Sequence, residues 1–128
     1  MIKTQAIFSG FSVDNLEKAK DFYTKILGLE IGDETMGLRL ILPKSGELFV
    51  YGKEGHVPAT FTILNFVVDN IDEAVDELSS QGVLFEHYEE GTKTDEKGIA
   101  RGLSVNMGPD IAWFKDPAGN IISVLQVQ

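Results

Sequence analysis

The sequence predicts an α+β fold made of two βαβββ modules, and three observations carry that prediction. The stretch "SVDNLEKAKDF" at residues 12–22 returns 55 positions later as "VVDNIDEAVDE" at residues 67–77. Val13, Asp14, Asn15, Ala19 and Asp21 recur there as Val68, Asp69, Asn70, Ala74 and Asp76. Each copy follows an apolar, β-prone run, and each enters a segment of helical spacing that stops at a glycine, Gly28 or Gly82. Three more β-prone runs follow each helix. One such unit cannot bury both its helix stripe and its sheet face, so a duplicated and packed unit is expected. The expected organisation is a single domain over 1–128, with modules at 1–54 and 60–128.

Taken in order, "AIFSGFSV" (Ala6 to Val13) reads as a strand that runs into Asp14 and Asn15, both helix-capping residues. Leu16, Ala19, Phe22, Tyr23, Ile26 and Leu27 then fall at helical spacing. Glu17 stands three after Asp14, as in a capping box, and Gly28 supplies the stop. "LEIGDET", "GLRLILP" and "ELFVYGK" read as three short strands, the last two joined by the "PKSG" turn. After a polar link over residues 53–59, "FTILNFVV" reads as a strand and Asn70 as part of the second cap, with Ile71, Ala74, Val75 and Leu78 as the helix stripe. "VLFEHYE", "ARGLSVN", "IAWFKD" and "IISVLQV" read as the closing strands. The final pair is joined by "DPAGN" (Asp116 to Asn120), with Pro at the second turn position. The polar, Gly-rich stretch at 89–102 is either a mobile lid or a long exposed hairpin tip.

Composition narrows the function. A chain of 128 residues, 43% apolar and 24% charged, fits one soluble domain. Its apolar runs fall far short of the ~20 residues of a membrane span, and the N-terminus lacks a signal peptide's basic start, so a cytoplasmic location is expected. With no cysteine there is no disulfide, thiolate metal site or Cys nucleophile. A formal charge of −9 argues against nucleic acid and anionic membrane surfaces and is compatible with a cationic ligand. No glycine-rich phosphate loop, HExxH or Ser/His/Asp set at motif spacing is present.

Two segments, "VDNLEKAKDFYTKILGLEI" (Val13 to Ile31) and "WFKDPAGNIISVLQ" (Trp113 to Gln126), make the chain resemble the vicinal oxygen chelate superfamily, which includes glyoxalase I, bleomycin-resistance proteins and extradiol dioxygenases. The resemblance spans the chain. It implies two cupped mixed sheets enclosing a small-molecule pocket, often in a homodimer. It also implies where metal enzymes of the superfamily carry their ligands, on the first and last strands of each module. Counted from the two "VDN" caps, those positions hold Phe8 and Ile63, while Ser123 follows the closing turn; the fourth position falls near Phe49 to Tyr51, where no carboxylate stands, and Glu47 takes that place only under a shifted alignment. Aromatic and aliphatic groups cannot supply the three or four O/N donors a metal needs, so no metal and no cofactor is expected.

Alternation along the strands puts Phe8, Gly10 and Ser12 on one face, with Ile63, Asn65 and Val67, and Ile121, Ser123 and Leu125, on another such face. By the resemblance these are the concave faces. They are mostly apolar with Asn65 and Ser123 as the chief polar groups, which suits an organic ligand, although Phe8 and Ile63 serve equally as core. Gly10 in mid-strand marks a bulge or a close approach. Tyr51 and Trp113 are candidates to stack on a flat ligand, and Arg39 and Arg101 to pair with an anion; all four equally suit structural or surface roles. His56 and His87 stand alone, and a lone His makes no metal site. His87 and Glu47 are the candidates if acid/base chemistry occurs. The expectation is therefore a metal-free binder of a small organic molecule, cationic or aromatic. The alternatives are a glyoxalase-type lyase or isomerase and a non-catalytic interaction module.

Overall fold

The computed structural model describes residues 1–128, which divide into two compact units, Met1–Pro58 and Ala59–Gln128. Unit 1 contains β1 (Ser9–Val13), helix α1 (Leu16–Asp21) with a π-helical continuation (Phe22–Ile26), β2 (Glu30–Ile31), β3 (Leu38–Leu42) and β4 (Gly46–Gly52). Its sheet order is β1-β4-β3-β2, with β1 parallel to β4 and the other pairs antiparallel. Unit 2 contains β5 (Thr62–Val67), α2 (Ile71–Ser80), β6 (Ile99–Arg101), a 3₁₀ turn (Leu103–Val105), β7 (Asp110–Lys115) and β8 (Ile121–Gln126), ordered β5-β8-β7-β6 with the same pairing senses. This is an α+β fold with two mixed four-stranded sheets.

Each sheet has one face under its helix. In unit 1, Val13, Leu38, Leu40, Leu48 and Val50 are buried with Ala19 and Tyr23, and the Phe11 ring meets Tyr23 at 5.7 Å. Consecutive aromatics at 22 and 23 would diverge on a regular helix. The wider turn, closed by the Leu27 N–H on the Phe22 carbonyl at 3.0 Å, accompanies burial of both. In unit 2, Ala112, Phe114, Ile122 and Val124 lie beneath Ile71, Val75 and Leu78, and the Ile71 N–H donates to Gln126 Oε1 at 3.0 Å. Strand alternation then leaves the opposite face of each sheet without a helix.

Both helices start on an asparagine. Asn15 accepts from the Lys18 N–H at 3.0 Å and Asn70 from the Glu73 N–H at 3.1 Å. Asp14 is therefore outside the first helix, and the capping box expected from Asp14 and Glu17 is replaced by the Asn15 cap. The DPAGN turn is held by Asp116, buried, whose Oδ1 accepts from the Ala118 and Asn120 N–H groups at 2.9 and 2.8 Å. Asn120 returns a bond from Nδ2 to Asp116 Oδ2 at 3.0 Å.

Four expected strands are shorter than their sequence runs. β1 begins at Ser9, so Ala6 to Phe8 precede it, and only Glu30–Ile31 of residues 29–35 is paired. Residues 83–89 make one bridge, Phe85 to Phe114, plus the Glu86 N–H on the Trp113 carbonyl. Beyond it the segment closes on itself, the Tyr88 N–H donating to the Thr94 side-chain Oγ1 at 2.8 Å and the Thr94 N–H to the Tyr88 carbonyl at 2.9 Å. Residues 100–106 stop pairing at Arg101, because the Leu103 N–H is taken by Asp110 Oδ1 and the Met107 N–H by the Gly102 carbonyl.

Candidate functional site

The helix-free faces carry the candidate site, and each is best read as rows of paired residues. In unit 2, Asn65 lies opposite Ser123 and Ser123 opposite Trp113, so the three form one row across β5, β8 and β7. The next row holds Val67, Leu125 and Ile111. Ser123 is fully buried and its Oγ lies 2.6 Å from Asn65 Oδ1, while Asn65 itself is exposed. Trp113, half-buried, is met edge-on by Tyr88 with ring centroids 5.6 Å apart. The result is an aromatic wall, a side-chain amide and an aliphatic surround on one open face.

In unit 1 the corresponding row is Gly10, Phe49 and Arg39. Phe49 and Tyr51 stack along β4 with centroids 5.9 Å apart and an interplanar angle of 19°. Gly10 is needed there, since a Cβ would come within 2.9 Å of the Phe49 carbonyl oxygen. Arg39 is shared by Asp33 at 3.3 Å and Glu47 at 3.5 Å, so this edge carries more negative than positive charge. Beside Tyr51 lies Ser12, whose Oγ is 2.7 Å from His56 Nδ1. That pair was not foreseen from the sequence, because 44 residues separate its members and no motif links them.

Several candidates move. Phe8 lies outside the strand and is 66% exposed, so it shares no row with Gly10 and Ser12. Ile63 sits where the β5 register shifts, with Thr62 opposite Ile121 and Leu64 opposite Ile122. Thr62 therefore takes the open-face place that strict alternation gives to Ile63, because a bulge sets two residues against one. His87 is exposed and lines a cleft of about 300 Å³ between α2 and residues 83–85, beside Glu96 and Lys97, away from the open face. Glu47 does lie on the unit 1 open face, paired with Arg39.

Arg101 lies opposite Asp110 on the helix side of its sheet. Its guanidinium bonds Asp72 at 2.8 and 2.9 Å and Asp95 at 3.0 Å, with Asp110 at 3.8 Å. Lys97 adds contacts to Asp72 at 3.0 Å and Asp76 at 2.9 Å. Hydrogen bonds from Arg101, then Lys97, hold the Asp72 carboxyl far below the usual carboxylate range, and Asp72 in turn raises Arg101. Burial opposes the Asp95 carboxylate, yet the Ile99 N–H, Arg101 and the Lys97 N–H outweigh it and lower its pKa. With three carboxylates around it, Arg101 is a tether for residues 95–101 rather than a partner for an anionic ligand on the open face.

No three His, Cys, Asp or Glu side chains are gathered where they could hold a metal ion, so the residues present do not fit the superfamily's metal centre. No helix is long and apolar enough to cross a membrane.

A family model described as the Glyoxalase/Bleomycin resistance protein/Dioxygenase superfamily matches residues 9–124. The chain belongs to this superfamily. Among solved structures, TnmS3, an antibiotic-binding protein from Streptomyces sp. CB03234, is 24% identical with a TM-score of 0.68, covering 100% of this chain and 99% of that one. A glyoxalase/bleomycin resistance protein from the same organism is 25% identical with a TM-score of 0.61, covering 93% and 97%. A lactoylglutathione lyase from Agrobacterium tumefaciens is 20% identical with a TM-score of 0.64, covering 96% and 94%. No curated protein is a significant match in sequence. Proteins described as a binder and as a lyase thus share this fold, so the fold alone does not name the activity.

Proposed function

We propose that this superfamily member binds a small organic molecule on the open faces of its sheets and sequesters it without a catalytic metal, as a homodimer in the cytoplasm. One observation carries the reading. The open faces offer aromatic surface beside few polar groups, Phe49 and Tyr51 in unit 1 and Trp113 beside Asn65 and Ser123 in unit 2. Such surfaces grip by packing and orient by one or two hydrogen bonds. Counted along the sequence, the resemblance puts its metal-ligand positions on Phe8, Ile63 and Ser123, and the residues that take those open-face places in unit 2, Thr62 and Ser123, add no imidazole or carboxylate, which supports the metal-free part. TnmS3 is an antibiotic-binding protein, and the proposal extends that kind of role to this chain. The stacked rings beside Glu47, with a formal charge of −9, favour a cationic or aromatic ligand.

Metal analysis of protein purified without chelator, together with thermal-shift screening against antibiotics and aromatic metabolites, tests this. The reading expects sub-stoichiometric metal and at least one compound that stabilises by about 2.7 kcal/mol at ~100 times its dissociation constant. Stoichiometric Ni, Zn, Mn or Fe would overturn it. A second reading, acid/base lyase or isomerase chemistry, is favoured by the Ser12 and His56 pair on the open face of unit 1. Mass spectrometry of a bound compound after incubation separates the two: an unchanged compound supports sequestration, and an isomer or fragment supports catalysis.

A further inference from the structure

Resting on the binding reading above, we infer that the open face of unit 2 selects planar molecules bearing a bare hydrogen-bond acceptor, such as a ring carbonyl, and that Asn65 is the selecting residue. The argument starts from Ser123. Its hydroxyl is fully buried, and a buried donor must find an acceptor. Asn65 Oδ1, at 2.6 Å, is that acceptor.

An asparagine amide can turn over, exchanging oxygen for nitrogen. Here turning it would set Nδ2 against Ser123 and leave the buried hydroxyl proton without a partner, so Ser123 fixes the amide with its oxygen inward. Nδ2 and its two protons are then the part of Asn65 turned to the exposed side. The amide oxygen is engaged inward by Ser123, so the exposed side meets its donors first.

The surroundings define the rest of the ligand. Trp113 lies in the same row, two strands away, at roughly 10 Å between backbones. Tyr88 braces its indole edge-on, and Val67, Leu125 and Ile111 fill the neighbouring row. A flat unsaturated ring laid on the aliphatic row meets the indole on one side and the Asn65 amide on the other. A ring carbonyl satisfies that amide, whereas a ligand offering only N–H or O–H meets a second donor.

The corresponding row of unit 1 has Gly10 and Phe49 in place of Asn65 and Ser123, so this selection belongs to unit 2 alone.

The test uses three matched planar probes: fluorenone, with a ring carbonyl; fluorene, without one; and 2-aminofluorene, with a donor. Binding is followed through the side-chain N–H signals of Asn65 and Trp113, the sole tryptophan. Fluorenone is expected to bind about five- to tenfold more tightly than fluorene, the worth of one hydrogen bond, with 2-aminofluorene no better than fluorene. Asn65→Leu should remove the preference, leaving fluorenone and fluorene with matching affinities, and Asn65→Asp should shift it toward 2-aminofluorene. Ser123→Ala frees the amide to turn and should narrow the difference between fluorenone and 2-aminofluorene. Equal binding of all three probes to the natural protein, or a preference that survives Asn65→Leu, overturns the inference and leaves ligand binding standing. If no probe moves the Trp113 indole signal, both the inference and the binding reading for this face fail.

Discussion

The two units share strand order, pairing sense and helix cap, yet their open faces differ at matching positions. Where unit 1 carries Gly10, Phe49 and Arg39, unit 2 carries Asn65, Ser123 and Trp113. Their helix-covered faces keep one chemistry, Leu38, Leu40, Leu48 and Val50 against Ala112, Phe114, Ile122 and Val124. The difference teaches which face the fold constrains. Removing apolar groups from under a helix costs core packing, whereas the open face is free to specialise, and a duplicated unit can specialise twice.

Neighbours on one strand give the largest test of that division. Phe114→Ala, on the helix side of β7, should destabilise by about 3–5 kcal/mol in urea unfolding, as expected for a fully buried aromatic. Trp113→Ala, one residue earlier and half-buried on the open side, should cost clearly less and act mainly on ligand affinity. Equal stability losses would break the distinction between faces.

Exchanging matched residues comes next. Gly10→Asn brings a Cβ against the Phe49 carbonyl and should cost about 2 kcal/mol through strain. The reverse change, Asn65→Gly, should cost about 1–3 kcal/mol, because it removes the acceptor of the buried Ser123 hydroxyl and adds the penalty of a glycine in a strand. Thermal midpoints of the two variants decide whether unit 1 could carry the polar row of unit 2.

The smallest effect concerns a tether on the helix side of unit 2. Arg101→Gln leaves Asp72 and Asp95 without their main partner and should cost about 1 kcal/mol, since the group is partly exposed. The sign with pH follows from both carboxylates being lowered in the folded state. Their contribution is complete above the unfolded carboxylate pKa of about 4 and is lost as pH falls through the depressed values. The variant's deficit should therefore stay constant from neutral pH down to about 5 and shrink below about 4. Urea midpoints of both proteins across that range measure it.

Much of the fold was legible because its signals are local. The repeated VDN segment announced strand, cap and helix twice, and DPAGN announced a turn that Asp116 then holds through two backbone N–H groups. What stayed hidden depends on partners far along the chain. The bulge that displaces Ile63 is a mismatch between β5 and β8, and nothing within "FTILNFVV" records the register of its partner. Ser12 and His56 meet across 44 residues, and Arg101 turned from a ligand candidate into a tether because Asp72 and Asp95 converge on it from elsewhere. Asn65 and Ser123 were legible as polar points on an apolar face. Their mutual bond, which decides what the face offers a ligand, was not.

The central claim is that the open faces, and no metal, carry the function. The most direct measurement is a backbone and side-chain amide spectrum of the protein with a stabilising compound from the thermal-shift screen. Shifts concentrated on Asn65, Trp113, Ser123, Phe49 and Tyr51 are the predicted result. Shifts confined to the helix-side residues, α2 and the cleft beside His87 among them, would contradict it.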